Sequence, residues 1–419
     1  MGDSLADLGA PEPVPAKRIS GADIVEAGRG ISRKIDVVNL PVVRASSVLF
    51  DTIEQALAEG PPSRAGELHR TTYATSGTET TFALMDALAA LEGGPHGCRA
   101  ALMPSGLAAI STALLAFTKP GDHLLMTDSV YGPARVFATT MLARFGVRTT
   151  FFDPRLPVHG QGGLEELIEE STTVIYLESP GSYTFEVQDV PAICALARAR
   201  GLLTMLDNTY ASPCMARPFD WGVDMTLLAL TKYWAGHSDL LMGAVVVREP
   251  HFKRLWSAVK ELGICVGGDD AWLVLRGLRT VDLRMRRHQE TGLAVARWLQ
   301  QRPEVQRVLH PGLPEHPRHD LFKRDFLGTS GLMSFELKPV SNARVAALCD
   351  GRKHFSIGYS WGGYESLIMP AALGSVRTVS RWTGGPLIRI HCGLEDAGEL
   401  IADLDQGFAA MAAISGTGD

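Results

Sequence analysis

The chain has 419 residues, 46% of them hydrophobic and 21% charged, and its 40 basic and 46 acidic side chains leave a formal net charge of -6. Because single cores stop growing beyond roughly 250–300 residues, this length implies two domains, and the mild acidity excludes the basic surplus of a nucleic-acid binder. The six cysteines (Cys98, Cys194, Cys214, Cys265, Cys349, Cys392) lie far apart with no CxxC pair, so they read as reduced thiols of a cytoplasmic protein with no metal site.

The opening MGDSLADLGA lacks the basic start and apolar run of a secretory signal. The longest apolar stretch, 101–117, is broken by Pro104, Ser105, Gly106, Ser111 and Thr112 and falls short of the ~20 residues that span a bilayer. Residues 1–17 read as a flexible tail. Residues 18–77 carry short patterned pieces without a core of their own, and read as an arm packing on a neighbouring subunit. Residues 78–278 alternate strands with helices. Apolar runs at 100–103, 123–127, 174–177, 202–206, 225–230 and 243–247 predict a mostly parallel sheet covered by helices on both faces. Ligands in such sheets bind at the carboxyl ends of the strands. Residues 279–419 form the second domain: a long helix through Leu293–Leu299, a loop with Pro311, Pro314 and Pro317, then further strands and helices.

The residues that follow the strands carry the chemistry. Lys232 comes after 225–230, and burial there lowers an amine's pKa and makes it a nucleophile for Schiff-base chemistry. A surface lysine past a strand end is the bland alternative. Asp207 follows 202–206, where a carboxylate holds a pyridinium nitrogen protonated, or simply caps a turn. Ser105-Gly106 opens a helix whose first N–H groups suit a phosphate; an ordinary N-cap reads the same. Thr231 places a hydroxyl beside the lysine. Tyr131 follows 123–127 and offers a ring to stack on a flat cofactor. Each is modest alone, and together they form an ordered set.

With these residues in place, the chain resembles the Cys/Met-metabolism family of pyridoxal 5′-phosphate (PLP) enzymes, from Val43-Arg44-Ala45-Ser46-Ser47 to Gly393-Leu394-Glu395-Asp396. Thr231-Lys232-Tyr233 with Gly236-His237-Ser238-Asp239 is similar to the family's cofactor-lysine motif. The resemblance implies an aspartate-aminotransferase-like (fold type I) architecture with a smaller α+β C-terminal domain. It implies that Lys232 carries PLP, that Asp207 pairs with its ring nitrogen and that Tyr131 stacks on the ring and serves catalysis. Ser105, Gly106, Leu107 and Thr231 would bind its phosphate, and Tyr73 would reach that phosphate from a second subunit of a homotetramer built as a dimer of dimers. Arg389 matches the arginine that clamps the substrate's α-carboxylate.

Glu178-Ser179-Pro180-Gly181-Ser182 and the loop around Ser360-Trp361 resemble the β-lyase branch, which makes Ser182, Ser360 and Trp361 substrate-binding candidates. The implied reaction is carbon–sulfur β-elimination on L-cystathionine or a related cysteine S-conjugate, a step of methionine biosynthesis. The alternatives are γ-elimination or γ-replacement on a homoserine- or methionine-derived substrate, and a regulatory PLP-binding protein without turnover. One position departs from the family pattern: Thr75 stands where an arginine commonly meets the cofactor phosphate. Arg64 and Arg70 are the candidates to replace it.

Overall fold

The computed structural model describes residues 18–30, 36–59, 70–374 and 376–414. The expected tail 1–17 and Arg64 lie outside them. Seven strands form the central sheet: β1 (Cys98–Met103), β2 (His123–Thr127), β3 (Arg148–Phe152), β4 (Thr172–Glu178), β5 (Leu203–Asp207), β6 (Met225–Ala229) and β7 (Gly243–Arg248), in the order β1-β7-β6-β5-β4-β2-β3. Strand β2 is buried at all five positions, as expected of a strand covered on both faces. The pairs β2–β3, β2–β4, β4–β5 and β5–β6 are parallel, while β7 runs antiparallel between β1 and β6. Strands β1 and β6 therefore point the same way as the rest. Six carboxyl ends, those of β1 to β6, lie along one edge.

Helix Val281–Gln300 leads from this sheet to a second one, in the order β10-β11-β12-β9-β8. Its strands are β8 (Val305–Leu309), β9 (Leu332–Leu337), β10 (Phe355–Ile357), β11 (Ser366–Ala371) and β12 (Leu387–His391). Met333, Phe335, Ile388 and Ile390 pack there with Leu404 and Phe408 of helix Ala397–Ala413. The mostly parallel sheet with a smaller second sheet is the fold type I arrangement expected from the motifs.

Within the N-terminal segment, residues 18–30 and 36–44 dock on their own chain. Ile24 and Leu40 join the core cluster of the central sheet. Arg279 donates to the Ile24 and Ala27 carbonyls, Trp272 to the Leu40 carbonyl, and Val43 N–H to Thr80. Buried apolar side chains and satisfied carbonyls explain the docking. Beyond it, Leu49, Ile53 and Leu57 are 94%, 77% and 82% exposed.

Candidate active site

A cavity of about 410 Å³ opens at the shared strand edge and is lined by Ser105, Gly106, Leu107, Tyr131, Glu178, Asp207, Thr231, Lys232, Trp361 and Arg389 among others. The first wall is the turn after β1. Ser105 is extended and its hydroxyl caps the Ala108 N–H at 3.1 Å, so the Gly106 and Leu107 N–H groups at the head of helix Gly106–Phe117 stay available to an anion. The turn is packed against its neighbours. A Cβ on Gly106 would stand 2.8 Å from that of Ala229, and one on Gly243 would collide with the Ser105 carbonyl.

Asp207 and Glu178 end adjacent strands as Cα partners. Asp207 accepts the Thr209 N–H at 3.0 Å; burial raises its pKa, while donors from Thr209 and the charge of Lys232 oppose the rise. Glu178 accepts the Tyr131 N–H and the Ser182 hydroxyl, both at 2.6 Å. Burial first, and Asp207 second, push it up to about 8, so it holds a proton at neutral pH. Neither Glu178 nor Thr209 stands out in the motifs, although Glu178 opens the Glu178-Ser179-Pro180 run that does.

Lys232 Nζ donates to Ser360 Oγ at 2.7 Å and lies 5.2 Å from the Trp361 ring centroid. Burial, with Arg389 second, lowers its amine to about 8, against the pull of Asp207. Thr231 exchanges hydrogen bonds with the Met242 backbone, pinning the lysine's neighbour to the residue that leads into β7. Behind it, Arg284 donates to the Tyr233, Trp234 and Gly277 carbonyls, and Tyr233 packs against His288, Trp361 and His391.

Arg389, in the middle of β12, closes the cavity from the second sheet. Its Nη2 donates to the Tyr359 carbonyl at 2.7 Å and to those of Gly358 and Ser360 at 3.3 Å. Its guanidinium sits 5.5 Å over the ring of Tyr183, a residue the motifs do not mark. Tyr183 holds φ of 63°, uncommon for a bulky residue and a mark of local strain. The Ser182 hydroxyl, a candidate for the substrate, is turned to Glu178. Tyr73 bridges Ser47 and, like Arg70, is not among the residues lining this chain's cavity.

The donor set fits PLP. It provides a half-buried amine, a desolvated carboxyl, a helix N-terminus whose first two N–H groups stay free in a turn too tight for a Cβ, and a half-exposed aromatic ring. Residues 22–409 match the family described as Cys/Met metabolism PLP-dependent enzyme. The chain belongs to that family. This PLP-dependent enzyme is 46% identical over 383 residues to a putative cystathionine beta-lyase of Rhizobium johnstonii, covering 90% of this chain and 92% of the relative. It is 42% identical over 400 residues to the cystathionine beta-lyase of Escherichia coli, covering 93% and 98%. A crystal structure of cystathionine gamma synthase from Xanthomonas oryzae pv. oryzae superposes with a TM-score of 0.83 at 32% identity, covering 95% of this chain and all of the other.

Proposed function

We propose that this member of the family cleaves the Cβ–S bond of L-cystathionine or a related cysteine S-conjugate, with the site residues in the following roles. The observation that carries the reading is Lys232: a half-buried amine near its titration point, held on Ser360 between Asp207 and Arg389. When bound, PLP supplies an electron sink for the pair left on the substrate's Cα.

Arg389 fixes the substrate α-carboxylate; its Nη2 is committed to the 358–360 loop, so the carboxylate meets the rest of the fork. Lys232 removes the Cα proton as general base and returns a proton to the departing sulfur. Asp207 keeps the ring nitrogen protonated. Gly106 and Leu107 N–H groups, with Ser105 and Thr231 framing the turn, hold the phosphate, and Tyr131 covers the ring. Trp361 and Tyr183 keep water from the reacting carbons. The balance is one cystathionine and one water to homocysteine, pyruvate and ammonia.

A second copy completes the site in this reading, with Tyr73 of the 45–77 stretch reaching its neighbour's phosphate and the exposed Leu49, Ile53 and Leu57 covered in a homotetramer. The test is a product assay on L-cystathionine with added PLP. Pyruvate and a free thiol are expected; 2-oxobutyrate without pyruvate would overturn the reading. γ-Elimination or γ-replacement is the second reading, since the fold is shared with a γ-synthase. Deuterium exchange at the substrate Cβ would favour it.

A further inference from the structure

A second cavity, of about 290 Å³, shares no lining residue with the first. Five arginines line it: Arg155 after β3, Arg307 on β8, Arg318, and Arg377 and Arg381 from the loop between β11 and β12. Arg155 is paired with Asp153 and Arg307 with Glu336, each at 2.6 Å. Glu186 stands 4.0 Å from Arg377. Arg318 and Arg381 have no ion-pair partner among the described residues. Five cations against three carboxylates leave an excess of two positive charges, in a chain whose net charge is -6. His316, which burial pushes down to about 4, is neutral at pH 7 and adds none.

Arg377 is the second observation. It is 4% exposed, its Nη2 serves the Ser182 carbonyl and the Thr184 hydroxyl, and its Nη1 is buried with no acceptor among the described residues. A buried charged donor left unsatisfied is costly, and uncompensated guanidiniums around one hollow repel one another. An anion removes both costs.

We propose that this cavity is a binding site for a phosphate dianion, free or carried as a small phosphomonoester. Two charges match the excess. Guanidinium forks match tetrahedral oxyanions bidentately, and the volume leaves room for a small ester group beside the phosphate. Arg318 and Arg381 supply the unpaired charge, and Arg377 the buried donor.

Calorimetry on the PLP-saturated enzyme tests this, because the cradle at Gly106 is then filled. Inorganic phosphate and glycerol 3-phosphate are titrated separately at constant ionic strength set with chloride. One saturable site per chain is expected, with Kd of about 1 mM or tighter. Arg318→Ala and Arg381→Ala should each weaken it on the order of tenfold while leaving the PLP content and circular dichroism unchanged. Arg381→Lys should retain part of the affinity. Tighter binding of the ester identifies a phosphomonoester as the ligand, and equal binding the free ion. No saturable heat with either probe, or full affinity in the Arg318→Ala/Arg381→Ala double variant, would overturn the proposal.

Discussion

Glu178 and Asp207 stand side by side at the ends of β4 and β5, two buried carboxyls of which Glu178 holds its proton up to about 8. Its ordinary value is 4.5. In the unfolded chain Glu178 is ionised above pH 4.5, whereas the fold binds its proton until about 8, so this group's contribution to stability falls as pH rises through that window. Glu178→Gln keeps an acceptor for the Tyr131 N–H without an ionisable proton. In the cofactor-free protein it should raise stability at pH 8.5 relative to wild type by a few kcal/mol, since each tenfold change in proton affinity corresponds to roughly 1.4 kcal/mol. It should change little at pH 4. Thermal unfolding at the two pH values measures this; an equal change at both would mean that Glu178 is not the protonated group.

The Lys232–Ser360 contact predicts a selective kinetic defect. Ser360→Ala removes the acceptor that aims the amine, so kcat should fall on the order of tenfold to a hundredfold, with KM changed less than threefold or so. Lys232→Ala should abolish turnover and also the borohydride-stable attachment of PLP seen by mass spectrometry. Attachment surviving that substitution would move the cofactor lysine elsewhere.

Arg389 holds the 358–360 carbonyls and, in the proposed reading, the substrate carboxylate, and its variants should separate the two roles. Arg389→Lys keeps charge but loses the fork, and should raise KM on the order of tenfold to a hundredfold. Arg389→Ala also frees the Gly358, Tyr359 and Ser360 carbonyls and should lower kcat as well. A pure kcat effect in both variants would exclude the carboxylate clamp.

Asp128 ties the loop before β12 to the central sheet. It accepts N–H groups of Thr378, Val379 and Ser380, the hydroxyls of Thr378 and Ser380, and Arg135. Burial alone would raise its pKa, but the Ser380 and Thr378 donors and Arg135 hold it at about 2. The stability it confers is complete above 3.8, its unfolded value, and is lost as pH falls toward 2. Asp128→Ala, which leaves Arg135 buried and unpaired, should cost about 3–5 kcal/mol. Asp128→Asn should flatten the loss of stability between pH 4 and 2 in a denaturant series; an unaltered acid limb would assign that limb to other carboxyls.

Lys232, Asp207, Ser105-Gly106 and Tyr131 are legible because each follows an apolar run, and a run buried on both faces announces a strand whose carboxyl end must be wet. The Glu178–Asp207 pairing is not legible, since it depends on β4 and β5 being neighbours, which no local pattern states. Strand direction is also hidden: 243–247 looks like any buried strand, and only the fold shows β7 running against the others. The docking of residues 18–30 and 36–44 escapes the sequence for the same reason. Val43, Leu40 and Ile24 find their partners far along the chain, at Thr80, Trp272 and Arg279 respectively, beyond the reach of periodicity.

The position of β7 carries a consequence for how the enzyme is made. β1, which ends at the phosphate turn, touches the rest of the sheet through β7 alone, and β7 is the last strand of the seven to leave the ribosome. A nascent chain that stops short of Arg248 can lay helix Gly106–Phe117 on β6, as the close approach of Gly106 to Ala229 shows, but has no strand to seat β1 in the sheet. The edge of the sheet that carries Ser105 and Gly106 is therefore the last part of it to be locked.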